Sequence, residues 1–242
     1  MDNIDHYRSV HADATSDGGT TDWNSIFELL STEKLFAVEG RYGAIPKTLR
    51  ELRPVKSLLE VGCGLGETTA WMLRYAENVQ GCDIWLQSPL KRPQALPLTF
   101  SEVDADQPWP FDNGTFDVVV AMMVLEHVFD PFHFVRECAR VMTDDGILFL
   151  NVPLISFYRH RLDVLFGRVP TTSSAGWFER GLWDGAHIHY FNIPMLTKLL
   201  GTAGLSIHKT FAVGRYCELK ARWPSLLCAE VSVVVKRAKS GL

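Results

Sequence analysis

The sequence predicts an α/β protein with a doubly wound, mostly parallel seven-stranded sheet and an antiparallel hairpin at one edge. Three observations carry that expectation. A short apolar strand, Ser57-Leu58-Leu59-Glu60-Val61, runs into the turn Gly62-Cys63-Gly64-Leu65-Gly66 and then into a helical pattern. Strand and helix patterns keep alternating through residue 151, a rhythm that favours helices on both faces of a parallel sheet. Two late strands, about 206–213 and 228–235, suggest the hairpin.

The elements follow in order. Residues 1–20 are polar, end in Ser16-Asp17-Gly18-Gly19-Thr20, and read as a lead or flap. Asp22 suits the N-cap of a helix with apolar positions Trp23, Ile26, Phe27 and Leu30. A further helical piece spans about 46–52, so residues 1–56 form an N-terminal helical segment ahead of the domain at 57–242. Strand 57–61 leads to a helix at 67–77 and a strand at 79–84. A connection broken by Pro89, Pro93 and Pro97 precedes a strand at 99–103. Phe116 to Met122 is almost wholly apolar, as a strand buried on both faces requires. A helix at 131–142, with Phe134, Val135, Cys138, Val141 and Met142 inward, ends before Asp144-Asp145-Gly146 and a strand at 146–151. Residues 153–191 break the rhythm with Phe157, Tyr158, Arg159, Arg161, Phe166, Arg168, Trp177, Phe178, Arg180 and Trp183. An interruption of that length reads as a functional lid. It either closes over an acceptor or packs between the subunits of a homodimer. A helix at 194–203 and Gly204 lead into the last two strands.

Composition narrows the function classes. The 242 residues are 47% hydrophobic and 21% charged, which is ordinary for a globular domain. A net charge of −4 argues against a nucleic-acid partner. Met1-Asp2-Asn3-Ile4-Asp5 lacks the apolar core of a signal peptide. The longest apolar run, Val118 to Leu125, is far short of the roughly 18 residues of a membrane span. Five dispersed cysteines without a C-x-x-C pair fit a reducing, cytoplasmic setting, not a disulfide framework or zinc site.

Ligands of an open α/β sheet sit beyond the carboxyl ends of its strands, so those ends hold the candidate chemistry. The first reads Glu60-Val61-Gly62-Cys63-Gly64 and the second Asp83-Ile84. The third reads Asp104-Ala105, the fourth Met122-Met123 followed by Leu125-Glu126-His127, and the fifth Asn151-Val152-Pro153. Asp83, 19 residues past Gly64, can accept both hydroxyls of a ribose. Asp104 suits the amino group of a purine, although a turn-forming aspartate competes with that reading. Glu60 suits a ligand ammonium. Together these describe a nucleoside with an amino-acid tail. A dinucleotide motif would want a third glycine where Glu67 stands, and a carboxylate there would repel a pyrophosphate. S-adenosylmethionine has no phosphate and is compatible with Glu67.

The ordered set Glu60-Val61-Gly62-Cys63-Gly64-Leu65-Gly66, Asp83, Asp104-Ala105, Trp109-Pro110-Phe111, Gly114-Thr115-Phe116-Asp117, Val124-Leu125-Glu126-His127-Val128 and Asp130-Pro131 resembles the class I S-adenosylmethionine-dependent methyltransferases, with their Rossmann-like fold, from about Leu58 to Gly204. The resemblance implies cofactor contacts at the Gly62, Cys63 and Gly64 backbone, at Asp83 with Ile84, at Asp104 and Ala105, and at Met122 near the methionine arm. Arg161-Leu162-Asp163-Val164-Leu165-Phe166-Gly167-Arg168 and Asp184-Gly185-Ala186-His187-Ile188-His189-Tyr190-Phe191 resemble a branch associated with glycan and cell-surface assembly.

An oxygen acceptor must also lose a proton, a task that suits a histidine. His127 is the candidate base, its rival role being to cap the next helix or pack under the loop. His187 is the second catalytic candidate; it and His189 lie where the lid rejoins the fold and could equally make structural hydrogen bonds. Glu126 either orients His127 or is solvated. Metal-assisted chemistry would want clustered acids after strands four and five, where Ala121-Met122-Met123 and Asn151-Val152-Pro153 stand, so no metal is expected. The sequence therefore points to S-adenosylmethionine-dependent methylation of a small molecule, at a hydroxyl of a sugar or carrier-linked sugar. A non-catalytic cofactor-binding module and a nicotinamide-dependent oxidoreductase are the alternatives.

Overall fold

The apolar run at Phe116–Met122 lies at the centre of the molecule, with Val118, Val119, Val120 and Ala121 fully buried. The computed structural model describes residues 40–51, 54–86, 97–173, 181 and 183–238. The expected helix after Asp22, and Pro89, Pro93, Trp177, Phe178 and Arg180, lie outside those residues. In chain order the elements are α1 (Ala44–Arg50), β1 (Val55–Val61), α2 (Glu67–Met72), β2 (Ala76–Asp83), β3 (Leu98–Glu102), β4 (Phe116–Met122) and α3 (Pro131–Val141). They continue with β5 (Met142–Pro153), α4 (Tyr158–Leu165), a 3-10 turn (Trp183–Ala186), α5 (Ile193–Gly201), β6 (Leu205–Ala212), α6 (Cys217–Lys220), α7 (Pro224–Leu227) and β7 (Glu230–Arg237).

The seven strands lie in the order β3-β2-β1-β4-β5-β7-β6. The five strands from β3 to β5 are parallel; β7 runs antiparallel to β5 and β6, which leaves β6 as the edge. The chain order reverses between β1 and β4, and this switch point is where an open α/β sheet forms its ligand crevice. Alternation along β4 sends Val119 and Ala121 into the apolar layer under α3 and α5. Val118, Val120 and Met122 enter the opposite layer with Ile45, Trp71 and Phe149. That two-sided burial is what the near-continuous apolar run predicts.

Three elements, α2, β2 and β5, depart most from expectation. The helix after the glycine turn stops at Met72, and β2 starts at Ala76, because Ala76 already pairs with Val55 and turn hydrogen bonds close the chain at Leu73 and Tyr75. β5 also outruns the expected 146–151 at both ends, since Met142 pairs with Phe116 and Pro153 with Glu230. The interruption that follows leaves and returns at one point. Leu154 bridges Phe191, and the Ile155 amide donates to the Phe191 carbonyl at 2.9 Å. Its helix α4 buries none of its residues. No helix among the described residues is long and apolar enough to cross a membrane.

One polar knot fixes α3 to the loop that carries β3 to β4. Arg140 donates from Nε and one Nη to the two oxygens of Glu137, at 2.8 and 2.7 Å. It also donates to the carbonyls of Phe111 and Trp109, at 2.7 and 3.0 Å. Glu137 in turn accepts the Trp109 amide at 2.8 Å. The guanidinium, opposed by burial, holds the Glu137 carboxyl below its usual range. A carboxyl so depressed stabilises the fold above its unfolded value and stops doing so as pH falls through the folded one. Arg140→Ala should therefore cost about 2–4 kcal/mol at neutral pH, because it strands a buried carboxylate. In urea melts the gap to wild type should narrow below the ordinary carboxylate range; a gap independent of pH would refute the assignment.

Candidate functional site

The turn after β1 hangs on the tip of β2. The amides of Gly62 and Cys63 both donate to the Cys82 carbonyl, at 2.8 and 3.1 Å. The Gly64 amide donates to Asp83 Oδ2 at 2.8 Å. Gly62 sits at φ +75°, and a Cβ built there would lie 2.4 Å from Val124 Cγ2. Only a residue without a side chain fits both the backbone and the space. Two segments far apart in sequence are thus drawn together at the carboxyl end of the sheet.

A cavity of ≈ 160 Å³ opens there. Gly62, Gly64, Asp83, Ile84, Asp104, Ala105 and His127 all line it, so seven of the expected site residues share one space. Asp104 also makes the competing turn, its Oδ1 accepting the Asp106 amide at 3.0 Å. Asp106 Oδ1 accepts the Asp130 amide at 2.9 Å, and Asp130 Oδ1 caps α3 through the amides of Phe132 and His133. The loop after β3 is therefore tied to the start of a helix.

Four expected residues sit elsewhere. Glu60 is buried off the cavity, accepting hydrogen bonds from Thr68 Oγ1 and Thr69 Oγ1, at 2.6 and 2.5 Å. Burial raises its carboxyl to about 7, against the pull of those hydroxyls. Cys63 is buried in the core layer, with its thiol pushed far up by burial, which fits a small packing residue. Met122 also packs into that layer, because strand alternation turns it away. Met123 lines the cavity in its place, in left-handed backbone at φ 60°, its amide donating to the Asn151 carbonyl at 3.0 Å. His187 is buried behind His127 and does not line the cavity. Val103 also lines it, as do Val124 and Val128 of the motif around His127. The sequence signal for Val103 is adjacency to a strand end.

After β4, His127 Nδ1 donates to the Ala186 carbonyl at 3.2 Å, which leaves the lone pair on Nε2. Its ring meets that of His187 edge-on, with 4.8 Å between centroids. Asp184, Gly185 and Ala186 all have positive φ, a tight reversal that turns the Ala186 carbonyl toward His127. Burial opposes ionisation of Asp184, but the amides of Thr172 and Ser173 outweigh it and hold that carboxyl low. His189 Nε2 donates to the Phe129 carbonyl at 3.3 Å, the structural reading of that residue.

This arrangement fits a nucleoside with an amino-acid tail: a carboxylate at the tip of β2, another after β3, and bare glycine backbone between. Residues 37–210 match a family described as "Methyltransferase domain". Among curated relatives, a ubiquinone biosynthesis O-methyltransferase of Caulobacter sp. (strain K31) is 27% identical over 172 residues, 69% of this chain and 65% of that protein. The same-named protein of Caulobacter vibrioides is 34% identical over 99 residues, 39% of each chain. The matches thus span between two fifths and two thirds of those relatives' length. An S-adenosylmethionine-dependent methyltransferase from Mesorhizobium loti shares the fold at TM-score 0.61 and 14% identity, over 81% of this chain and 97% of that one. So does a Burkholderia thailandensis 1,6-didemethyltoxoflavin-N1-methyltransferase solved with S-adenosylhomocysteine, at TM-score 0.59 and 16% identity, over 99% of this chain and 92% of that one. Strand order, the glycine turn on Asp83 and the family match agree: the chain belongs to the class I S-adenosylmethionine-dependent methyltransferases.

Proposed function

We propose that this chain methylates a hydroxyl of a small-molecule acceptor, with a sugar or carrier-linked sugar as the acceptor class. The observation that carries the reading is the convergence of Gly62, Gly64, Asp83, Asp104 and His127 on one cavity. When bound, S-adenosylmethionine supplies a methyl group on a cationic sulfur. Asp83 accepts the ribose hydroxyls, and Asp104 accepts the purine amino group beside Ala105. Gly62 and Gly64 allow close approach of the ligand along bare backbone. His127 handles the proton of the acceptor hydroxyl, since its Nε2 lone pair is set by the Nδ1 bond to Ala186. The names of the curated relatives, O-methyltransferases, support oxygen as the methylated atom. Residues 155–190, pinned at Leu154 and Phe191, serve as the lid that excludes water. Arg159 and Arg161 on that lid suit an anionic group on a carrier.

Asp83→Ala should weaken S-adenosylhomocysteine binding about 10–100-fold, the cost of losing hydrogen bonds to a charged acceptor. Calorimetry on folded variant protein reads this directly, and unchanged affinity would sink the cofactor assignment. Gly62→Ala should also lose cofactor binding, and adding Val124→Ala should restore only part of it, because the φ +75° strain persists after the clash is removed. His127→Ala should keep cofactor affinity yet slow methyl transfer to hydroxyl acceptors by about 10²–10⁴-fold. Full transfer activity in that variant, across sugar, carrier-linked and phenolic acceptors, would remove His127 from the reaction.

A further inference from the structure

The acceptor end of the cavity holds a cluster that the reading above uses only in part. Glu126 follows β4 with 0% exposure, and neither of its carboxylate oxygens has a hydrogen-bond partner. Arg41, the cation that acts on it from a distance, is paired instead with Glu230 at 2.8 Å. A buried carboxylate without a partner is strongly unfavourable, so the site as it stands lacks a counter-charge. Two imidazoles face it. His187 Nε2 lies 4.0 Å from Glu126 Oε1, and the ligand atoms of Glu126, His127 and His187 all fall within 4.8 Å of one another.

We propose that Glu126, His127 and His187 bind one divalent transition-metal ion of the zinc type, with a remaining position open to the acceptor. The outer contacts match that role. Metal-bound histidines commonly give their second ring N–H to a carbonyl or carboxylate, which fixes the tautomer. His127 Nδ1 donates to the Ala186 carbonyl. Thr172 Oγ1 donates to Asp184 Oδ2 at 3.0 Å, so it accepts from His187 Nδ1 at 2.7 Å, a relay that ends in a carboxylate. Both Nε2 atoms therefore carry lone pairs. Two imidazoles and one carboxylate suit zinc or iron and disfavour magnesium or calcium. Ligand distances of about 2.0–2.2 Å would draw the three side chains inward.

Three protein ligands with an open position are the pattern of a catalytic site, and His127 is the ligand that lines the cavity. This assignment rests on the proposed function in that His127 is the residue that meets the acceptor; with the ion bound, its Nε2 lone pair holds the ion and does not itself take the proton. The acceptor hydroxyl would bind the ion through its oxygen and lose its proton to solvent water, leaving a metal-bound alkoxide or phenoxide. No oxidant or reductant is needed. The sequence expectation of no metal rested on the acid-poor ends of strands four and five and on the dispersed cysteines. Here the ligands come from the residues just after β4 and from the lid's return, with His187 lying 60 residues past His127 and 61 past Glu126.

The test uses the full chain, stripped with a chelator and titrated with zinc chloride, then with cobalt chloride for its visible absorption. The expected result is one ion per chain, cobalt bands of a low-coordinate nitrogen and oxygen site, and a rise in Tm with added zinc. Glu126→Gln and His187→Ala should each weaken zinc binding at least tenfold, and Thr172→Ala should do so about 10–100-fold by loosening the His187 relay. S-adenosylhomocysteine affinity, measured on each variant, checks that the fold survives. No uptake by wild type, or equal uptake by Glu126→Gln, overturns the site. If wild type takes up no metal yet transfers methyl groups in a His127-dependent way, the metal site fails while the functional reading stands. If the metal binds and His127→Ala still transfers at full rate, the functional reading fails on its own.

Discussion

The hydrogen bonds that hang residues 62–64 on the tip of β2 are the constraint on which the rest of the site depends. One carbonyl, that of Cys82, collects two amides, and one carboxylate, Asp83, collects a third. These bonds bring the ends of β1 and β2 together and leave the glycine backbone facing the crevice. The geometry is possible because Gly62 and Gly64 tolerate positive φ and because Gly62 leaves room for Val124 from the end of β4. β1, β2 and β4 thus meet at one glycine, and the switch point of the sheet becomes a binding site.

The buried acids show how one fold solves a single electrostatic problem in several ways. Glu60 is satisfied by two threonine hydroxyls, Asp83 by an amide, Asp184 by two amides and a hydroxyl, and Glu137 by a bidentate guanidinium. Each solution matches its place. The guanidinium knot ties α3 to the loop before β4, while at Glu60, beside the glycine turn, burial raises the carboxyl and the hydroxyl pair opposes that rise. Glu126 differs, since no protein group among the described residues satisfies it. Its position beside two histidines gives that difference a chemical meaning.

The insertion after β5 is anchored where it leaves and re-enters the fold. It departs and returns beside one parallel bridge, and its return passes through three left-handed residues before His187. Left-handed backbone at Asp184 and Ala186 carries a conformational cost. The bonds from Asp184 to Thr172 and Ser173, and from Ala186 to His127, offset it. The lid helix α4, by contrast, leaves Val164, Leu165 and Phe166 open to solvent. The inner edge of the insertion is fixed by polar contacts, and among the described residues its helix α4 buries none of its side chains.

The order of the sheet elements, the two-sided burial of β4 and the meeting of Gly62, Gly64, Asp83 and Asp104 at one cavity were legible in sequence because each has a local signature. Alternation shows which strand face is buried, glycines mark the turn, and an aspartate ends β2. Local pattern also placed the inward face of α3 correctly at Phe134, Val135 and Cys138. It did not reveal that Met123 replaces Met122 at the cavity, since that depends on a left-handed residue fixed by the Asn151 carbonyl across the sheet. Nor could it show that Glu60 is consumed by Thr68 and Thr69, or that His187 comes to rest against His127 and Glu126. Those facts arise from side chains meeting across a lid and a strand end, and long-range proximity leaves no periodic trace in the chain.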